Sequence, residues 1–273
     1  MAASLAISAN AAFVAEADLG KVAFDVQKAR IDQKFDGKIE DGEYYEIAIK
    51  DSWLSYAAAT DADIDAAKKV DKKLYMSWDD GGVRIAATIV QDKANYMQTQ
   101  DAGNIWKEAC IQVNLAATTD TGTNRLEYGI GRMSTDGSFI GNVWAQFKGT
   151  YTPEEGKNAK VTYENNTVTY ETYVPWSNFL DNASVKEGSQ FGFCLVYAIG
   201  TDGNHNHIQI ASGCTGDPGK KADNFAKLTL AAAPELPPEP AESTETADTA
   251  VVASIALMAA AAAGVVFVSR KRG

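Results

Sequence analysis

From Asp18 to Ala232 the chain is written in short runs of alternating apolar and polar positions, separated by Gly, Asn and Asp. A period of two is what a strand with one buried face requires, because successive side chains leave a pleated backbone on opposite sides. In NIWKEACIQVNL (104–115) Ile111, Val113 and Leu115 fall on one side while Cys110, Gln112 and Asn114 fall on the other. The same reasoning predicts strands over 22–31, 44–51, 73–78, 83–91, 109–115 and 125–132, then over 138–147, 160–163, 167–174, 190–199, 207–211 and 226–230. Asp79-Asp80-Gly81-Gly82 and Asn165-Asn166 supply the residues that tight hairpins prefer. Helix is scarce: PWSNFL (175–180) reads as one turn after a strand, with Pro175 supplying the fixed φ of a first helical position. About a dozen strands in some 215 residues predict an all-β chain, folded as a two-sheet antiparallel β-sandwich of jelly-roll-like kind.

The two ends break this pattern. Ala250 to Val268 is an uncharged apolar run of 19 residues followed by SRKRG. That is long enough for one transmembrane helix, and a basic tip stays cytoplasmic. Residues 250–273 are therefore expected to anchor the chain in the plasma membrane, with its body outside the cell. The preceding 233–249 (APELPPEPAESTETADT) is rich in Pro, Glu and Thr and is expected to be an extended linker. This tail resembles the anchoring tails of Gram-positive surface proteins, although TADT (246–249) stands where LPxTG would be. At the other end, 1–17 has the apolar centre and small-residue cut options of an export signal, after Ala11 or Ala17, but no Lys or Arg before the apolar stretch. A buried N-terminal helix is the competing reading.

Composition narrows the partners. The 273 residues are 45% hydrophobic, enough for a sizeable core, and carry a net charge of −11 with no basic stretch outside the C-terminal tip. Phosphate neutralisation needs a basic face, so nucleic acid is excluded as a partner. Three cysteines, Cys110, Cys194 and Cys214, are too few for a disulfide scaffold, and their spacing suggests no zinc site. A Cys194–Cys214 bond is one option if their segments are neighbours.

Candidate chemistry centres on aromatic rings and amides. Trp106 follows a polar loop (98–104) and is open to two readings, core filler or platform at the mouth of a site. Trp144 alternates with Asn142 and Gln146 and is equally open. Trp176 follows a proline at a strand end and is expected in the core. Gln112, Asn114, Glu127 and Asn142 each alternate with apolar neighbours, which lines them along one sheet face, either a binding face or a solvated one. His205 and His207 read as exposed turn residues or metal ligands. Asp36, Asp79, Asp80, Asp92 and Asp202 sit in turns, where oxygen ligands for a structural calcium converge but where Asp is also simply favoured. No other cofactor is expected.

Four groups of motifs follow one another in an order that resembles the family-9 carbohydrate-binding modules. They are Phe35-Asp36-Gly37-Lys38-Ile39; LYMSWDD (74–80) with VRIAATIVQD (83–92); NIWKEACIQVNL; and YETYVPWSNF (170–179), GSQFGFCLVYAIGTDG (188–203) and NFAKLTL (224–230). The resemblance covers roughly residues 20 to 230. It implies a non-catalytic sandwich that sets a sugar's apolar face on aromatic rings while polar side chains bond its hydroxyls. It further implies a polysaccharide or oligosaccharide ligand of glucan or xylan type, held near the cell, and association with extracellular glycoside hydrolases. Trp106 matches the family's first ring, with Gln112, Asn114, Glu127, Trp144 and Tyr128 as further ligand contacts. The second ring is expected near Gly219, where no aromatic stands.

Three other readings remain. One is an adhesin or scaffold of the same fold that binds no sugar. Another is a haem domain ligated from Met76, Met97, Met133, His205 or His207. The last is a glycoside hydrolase, for which no paired-carboxylate motif stands out.

Overall fold

The computed structural model describes residues 12–15, 21–58, 60–92, 96–117, 124–180, 185–200, 206–214 and 221–235. The expected membrane helix, most of the linker and Asp202, His205 and Gly219 lie outside the described residues, as does the N-terminal segment apart from 12–15. Among the described residues no helix is long and apolar enough to cross a membrane.

Every strand that the alternation predicts is present. In chain order the strands are β1 (Ala12–Ala15), β2 (Ala23–Gln27), β3 (Tyr45–Ile47), β4 (Leu54–Ala58), β5 (Lys72–Trp78), β6 (Gly82–Val90) and β7 (Cys110–Ala116). They continue as β8 (Arg125–Arg132), β9 (Phe139–Ala145), β10 (Ala159–Glu164), β11 (Thr167–Pro175), β12 (Gln190–Ile199), β13 (Asn206–Ile210) and β14 (Ala226–Ala231). One sheet has nine strands, in the order β1-β4-β13-β12-β7-β8-β9 with β14 and β2 attached at β12, and the other has five, β10-β11-β6-β5-β3. The two sheets form the expected sandwich. Pairing is antiparallel except between β14 and β2, which run parallel. The long β12 makes this possible, since Gln190–Phe193 pair with β14 and Leu195–Ile199 with β13 along one edge.

Three elements, β4, β1 and one helix, escaped the pattern. β4 is buried at every position, so it shows no alternation to read. Helix α1 (Asp61–Lys68) starts at Thr60, whose hydroxyl accepts from Asp63 N, and buries Ile64 and Ala67 in the main core. β1 falls inside the segment expected as an export signal and pairs with β4, Ala12 opposite Ala58 and Ala15 opposite Ser55. β2 ends earlier than predicted because the chain changes sheet there: Lys28 bridges to Trp78, and Ala29 N donates to the Trp78 carbonyl.

The expected hairpins form. Asn165 and Asn166 take φ of 50° and 60°, the left-handed pair that a two-residue turn between right-twisted strands demands. Asp79 closes the other turn, its carboxylate accepting from Gly81 N and Gly82 N at 2.8 and 2.9 Å. Segment 31–44 is fastened to the five-stranded sheet: Arg84 donates to Ile31 O, Ser77 to Glu43 O, and Gly37 N to Glu171. Trp176 is wholly buried against Phe179 and Phe191, as expected of a core residue.

Candidate functional site

Cross-strand partners share a face, so the registers of the nine-stranded sheet show which side chains lie together on its outer side, away from the core. One row runs Gln209, Val196, Gln112, Gly129, Asn142, and beside it Cys194, Asn114 and Glu127 form another. The alternation is thereby confirmed: Gln112, Asn114, Glu127 and Asn142 share one face. It is not a solvated one. Gln112, Asn114 and Glu127 are 4%, 0% and 1% exposed.

Arg125, two residues before Glu127 on the same face, organises this polar group. Its Nη2 meets Glu127 Oε2 at 2.7 Å, and its Nε donates to Asn114 Oδ1 at 3.1 Å. The charge of Glu127 is balanced, and the Asn114 carbonyl oxygen is turned toward the guanidinium. Asn114 Nδ2 and Gln112 Nε2 then remain buried without an acceptor. Leaving a buried donor unpaired costs roughly 1–3 kcal/mol, a cost that this face carries at two positions.

Trp106 stands at the end of a 3-10 turn, Ala102–Lys107, which Asp101 caps through Asn104 N. Its ring is half-buried, with Lys107 Nζ 5.4 Å from the ring centre. Other elements tie the turn down. Trp144 Nε1 donates to Gly103 O at 2.9 Å, and Gln98 Nε2 donates to Ile105 O and Ala109 O at 2.8 and 2.7 Å. Glu108, wholly buried, accepts from Thr99 and Gln100. The half-buried Trp144 ring crosses the sheet over Gly129, where an added Cβ would sit 2.7 Å from Trp144 Cη2 and 3.1 Å from Ile111 O. Gly129→Ala is therefore expected to lift the indole off the sheet, break its bond to Gly103 and lower stability by about 1–2 kcal/mol, measured by urea unfolding with tryptophan emission.

Several expectations are corrected. Tyr128 is no ligand contact: it points into the core with Leu126 and Ile130, wholly buried, its hydroxyl 3.1 Å from Thr172 Oγ1. His207 is no exposed turn residue but a strand residue 1% exposed, on the same outer face as Gln209. The calcium reading finds no support among the described turn aspartates. Asp79 pairs with Arg84, Asp80 with Lys28, and Asp36 accepts from Lys38 N in its own turn. Among the described residues no three His, Cys, Asp or Glu side chains come together with Asp36, Asp79, Asp80 or Asp92, or anywhere else, to hold a metal. Of the candidate haem ligands, Met76 and His207 cannot pair, since Met76 is sealed between the sheets while His207 lies on the outer side. The three cysteines are buried and no disulfide joins them, with Cys194 and Cys214 in one apolar cluster beside Phe225.

Arg125 is the residue that the sequence reading missed, and His207 is one that it placed in a turn. Both carried a signal: same-face spacing puts Arg125 with Glu127, and the alternation of NHIQI sets His207 and Gln209 opposite Ile208 and Ile210.

No protein-family model matches the chain, and no curated protein matches it. Solved structures do. A carbohydrate binding module family 9 from Caldicellulosiruptor kristjanssonii in complex with cellotriose superposes with a TM-score of 0.51 at 15% identity, over 80% of this chain and 100% of that one. The complex of a family 9 module from the same organism with glucose gives 0.52 at 13% identity, over 79% and 100%. The fold is that of the family-9 carbohydrate-binding modules. Within this family-9 fold, the half-buried Trp106 and the buried amides of β7 occupy the loop and strand for which the motif order had implied a binding role.

Proposed function

We propose that the chain is a non-catalytic carbohydrate-binding protein that holds glucan- or xylan-type saccharides at the cell surface. The observation that carries this reading is the half-buried Trp106 ring, presented on a fastened turn that packs against β7, β8 and β9. A pyranose offers its apolar CH face to such a ring, so it complements it. The cellotriose and glucose in the structural neighbours point to the same class of ligand. Hydrolysis needs an acid and a base facing each other across a cleft, whereas Glu127 is engaged by Arg125. Export, the linker and the apolar run at 250–268 would set the domain outside the membrane, and protease treatment of intact cells tests that placement.

Titration with cellotriose and xylotriose, followed by tryptophan emission and calorimetry, tests the binding. Trp106→Ala is expected to weaken binding about tenfold, near 1.4 kcal/mol. Absence of heat and of emission change with every soluble glucan and xylan oligosaccharide would end this reading and favour a scaffold of the same fold. The loop 213–225 supports that rival, because its one aromatic, Phe225, is 1% exposed and packed in the apolar cluster.

A further inference from the structure

We propose that His207 is the positioning residue that holds Trp106 in the pose from which it stacks on a sugar. This rests on the carbohydrate reading of the site.

His207 lies on β13, in a row of the outer face made of Ala57, His207, Ala198, Cys110 and Gly131. Its immediate neighbours there, Ala57 and Ala198, are small, as are Cys110 and Gly131 beyond. The Trp106 turn can therefore lie close over this part of the sheet, and the imidazole rises from among them to meet it. Its Nε2 is 2.8 Å from the Trp106 carbonyl oxygen, and the two rings lie 6.3 Å apart, tilted by 57°. A carbonyl oxygen only accepts, so Nε2 carries the proton and donates. At 1% exposure this bond has no competition from water. The other fasteners, Trp144 and Gln98, reach Gly103, Ile105 and Ala109, which are neighbours of the platform in the chain. His207 reaches the platform residue itself.

The consequence concerns affinity. A ring held in place before the ligand arrives loses no freedom on binding, and that saving matters most where one ring does the stacking. Lys107 Nζ stands 5.4 Å from the centre of the Trp106 ring and adds a second contact to the pose. If the carbonyl of Trp106 were released, the turn would stay tied at Gly103, Ile105 and Ala109, but the platform residue itself would lose its fixed pose.

The test uses the full chain labelled with fluorotryptophan. Its five tryptophans give separate fluorine NMR lines, and Trp106→Phe identifies the one of interest. His207→Phe keeps the ring and removes the donor, while His207→Gln restores an N–H. In the free protein, His207→Phe should broaden or split the Trp106 line while the Trp176 line stays sharp, and His207→Gln should return it to a single line. Cellotriose affinity should fall about tenfold in His207→Phe and recover in His207→Gln. A sharp, unshifted Trp106 line together with unchanged affinity in His207→Phe overturns the proposal. If the unaltered chain binds no saccharide but the Trp106 line still responds selectively, the carbohydrate reading fails and the positioning role of His207 survives. Should His207→Phe not fold, His207→Ala takes its place, and the same two comparisons decide.

Discussion

Trp176→Ala is expected to lower stability by about 4 kcal/mol and the thermal midpoint by roughly 10 °C, followed by circular dichroism of the full chain. The indole is wholly buried, with the Phe179 and Phe191 rings 5.7 and 5.8 Å away and those two rings 5.5 Å from each other. Removing it empties the centre of an aromatic cluster whose members belong to two segments that meet only in the fold. Its Nε1 also donates to Asp79 O at 2.9 Å, at the turn where Asp79 pairs with Arg84 and accepts from Tyr173. The loss thus reaches the β5–β6 hairpin. Trp176→Phe separates the two contributions: it keeps most of the apolar volume and forfeits the N–H bond, and should cost about 1–2 kcal/mol. A midpoint shift under about 3 °C for Trp176→Ala would show that the ring is not a core residue.

The domain is also expected to lose stability as pH rises from about 5 to about 8.5, and Glu171→Gln should remove most of that loss. Glu171 is wholly buried on the outer side of the five-stranded sheet, beneath segment 31–44. Burial pushes its carboxyl from the ordinary 4.5 up to about 8, and the neighbouring Glu43 and Asp36 add to the rise, while bonds from Gly37 N and Tyr44 work against it. Glu43, also wholly buried, is raised by the same desolvation, with Arg84 as an opposing cation. An acid raised in the folded state holds its proton more tightly there than in the unfolded chain. Its contribution is whole below the unfolded value and is lost as pH climbs through the folded one. At about 1.4 kcal/mol for each tenfold in proton affinity, the swing for Glu171 is at most of the order of 5 kcal/mol. A glutamine mimics the protonated acid, so Glu171→Gln should match the unaltered protein near pH 5 and exceed it by several degrees in midpoint near pH 8.5. A midpoint that rises with pH over this range, or a variant no more stable than its parent at pH 8.5, would refute the assignment.

The success and failure of the sequence reading have one cause. Alternation is a property of neighbouring residues, so β8 and β12 were legible to the residue, and PWSNFL was legible as a single turn. β4, buried on both faces, offered no alternation and was invisible. Tyr128 was misplaced because an amphipathic ring suits a ligand as well as a core, although Leu126 and Ile130 beside it already marked the inner side. The turn aspartates suggested calcium because a turn needs the same oxygens to cap its own backbone, and that local use is what the structure shows for Asp36 and Asp79.

By itself, the sequence determined where the strands and hairpins fall, that Trp106 ends a polar loop, and that Gln112, Asn114, Glu127 and Asn142 share a face. It also carries the apolar run at 250–268, whose role is a proposal. Only the tertiary structure decided that this face is buried, that Arg125 neutralises Glu127 and leaves two amide donors unmet, and that His207 holds the Trp106 carbonyl from 101 positions away. The physical reason is that side-chain direction along a strand is set by the local backbone, whereas the neighbours a side chain meets are set by strand register and loop closure, which join residues far apart in the chain.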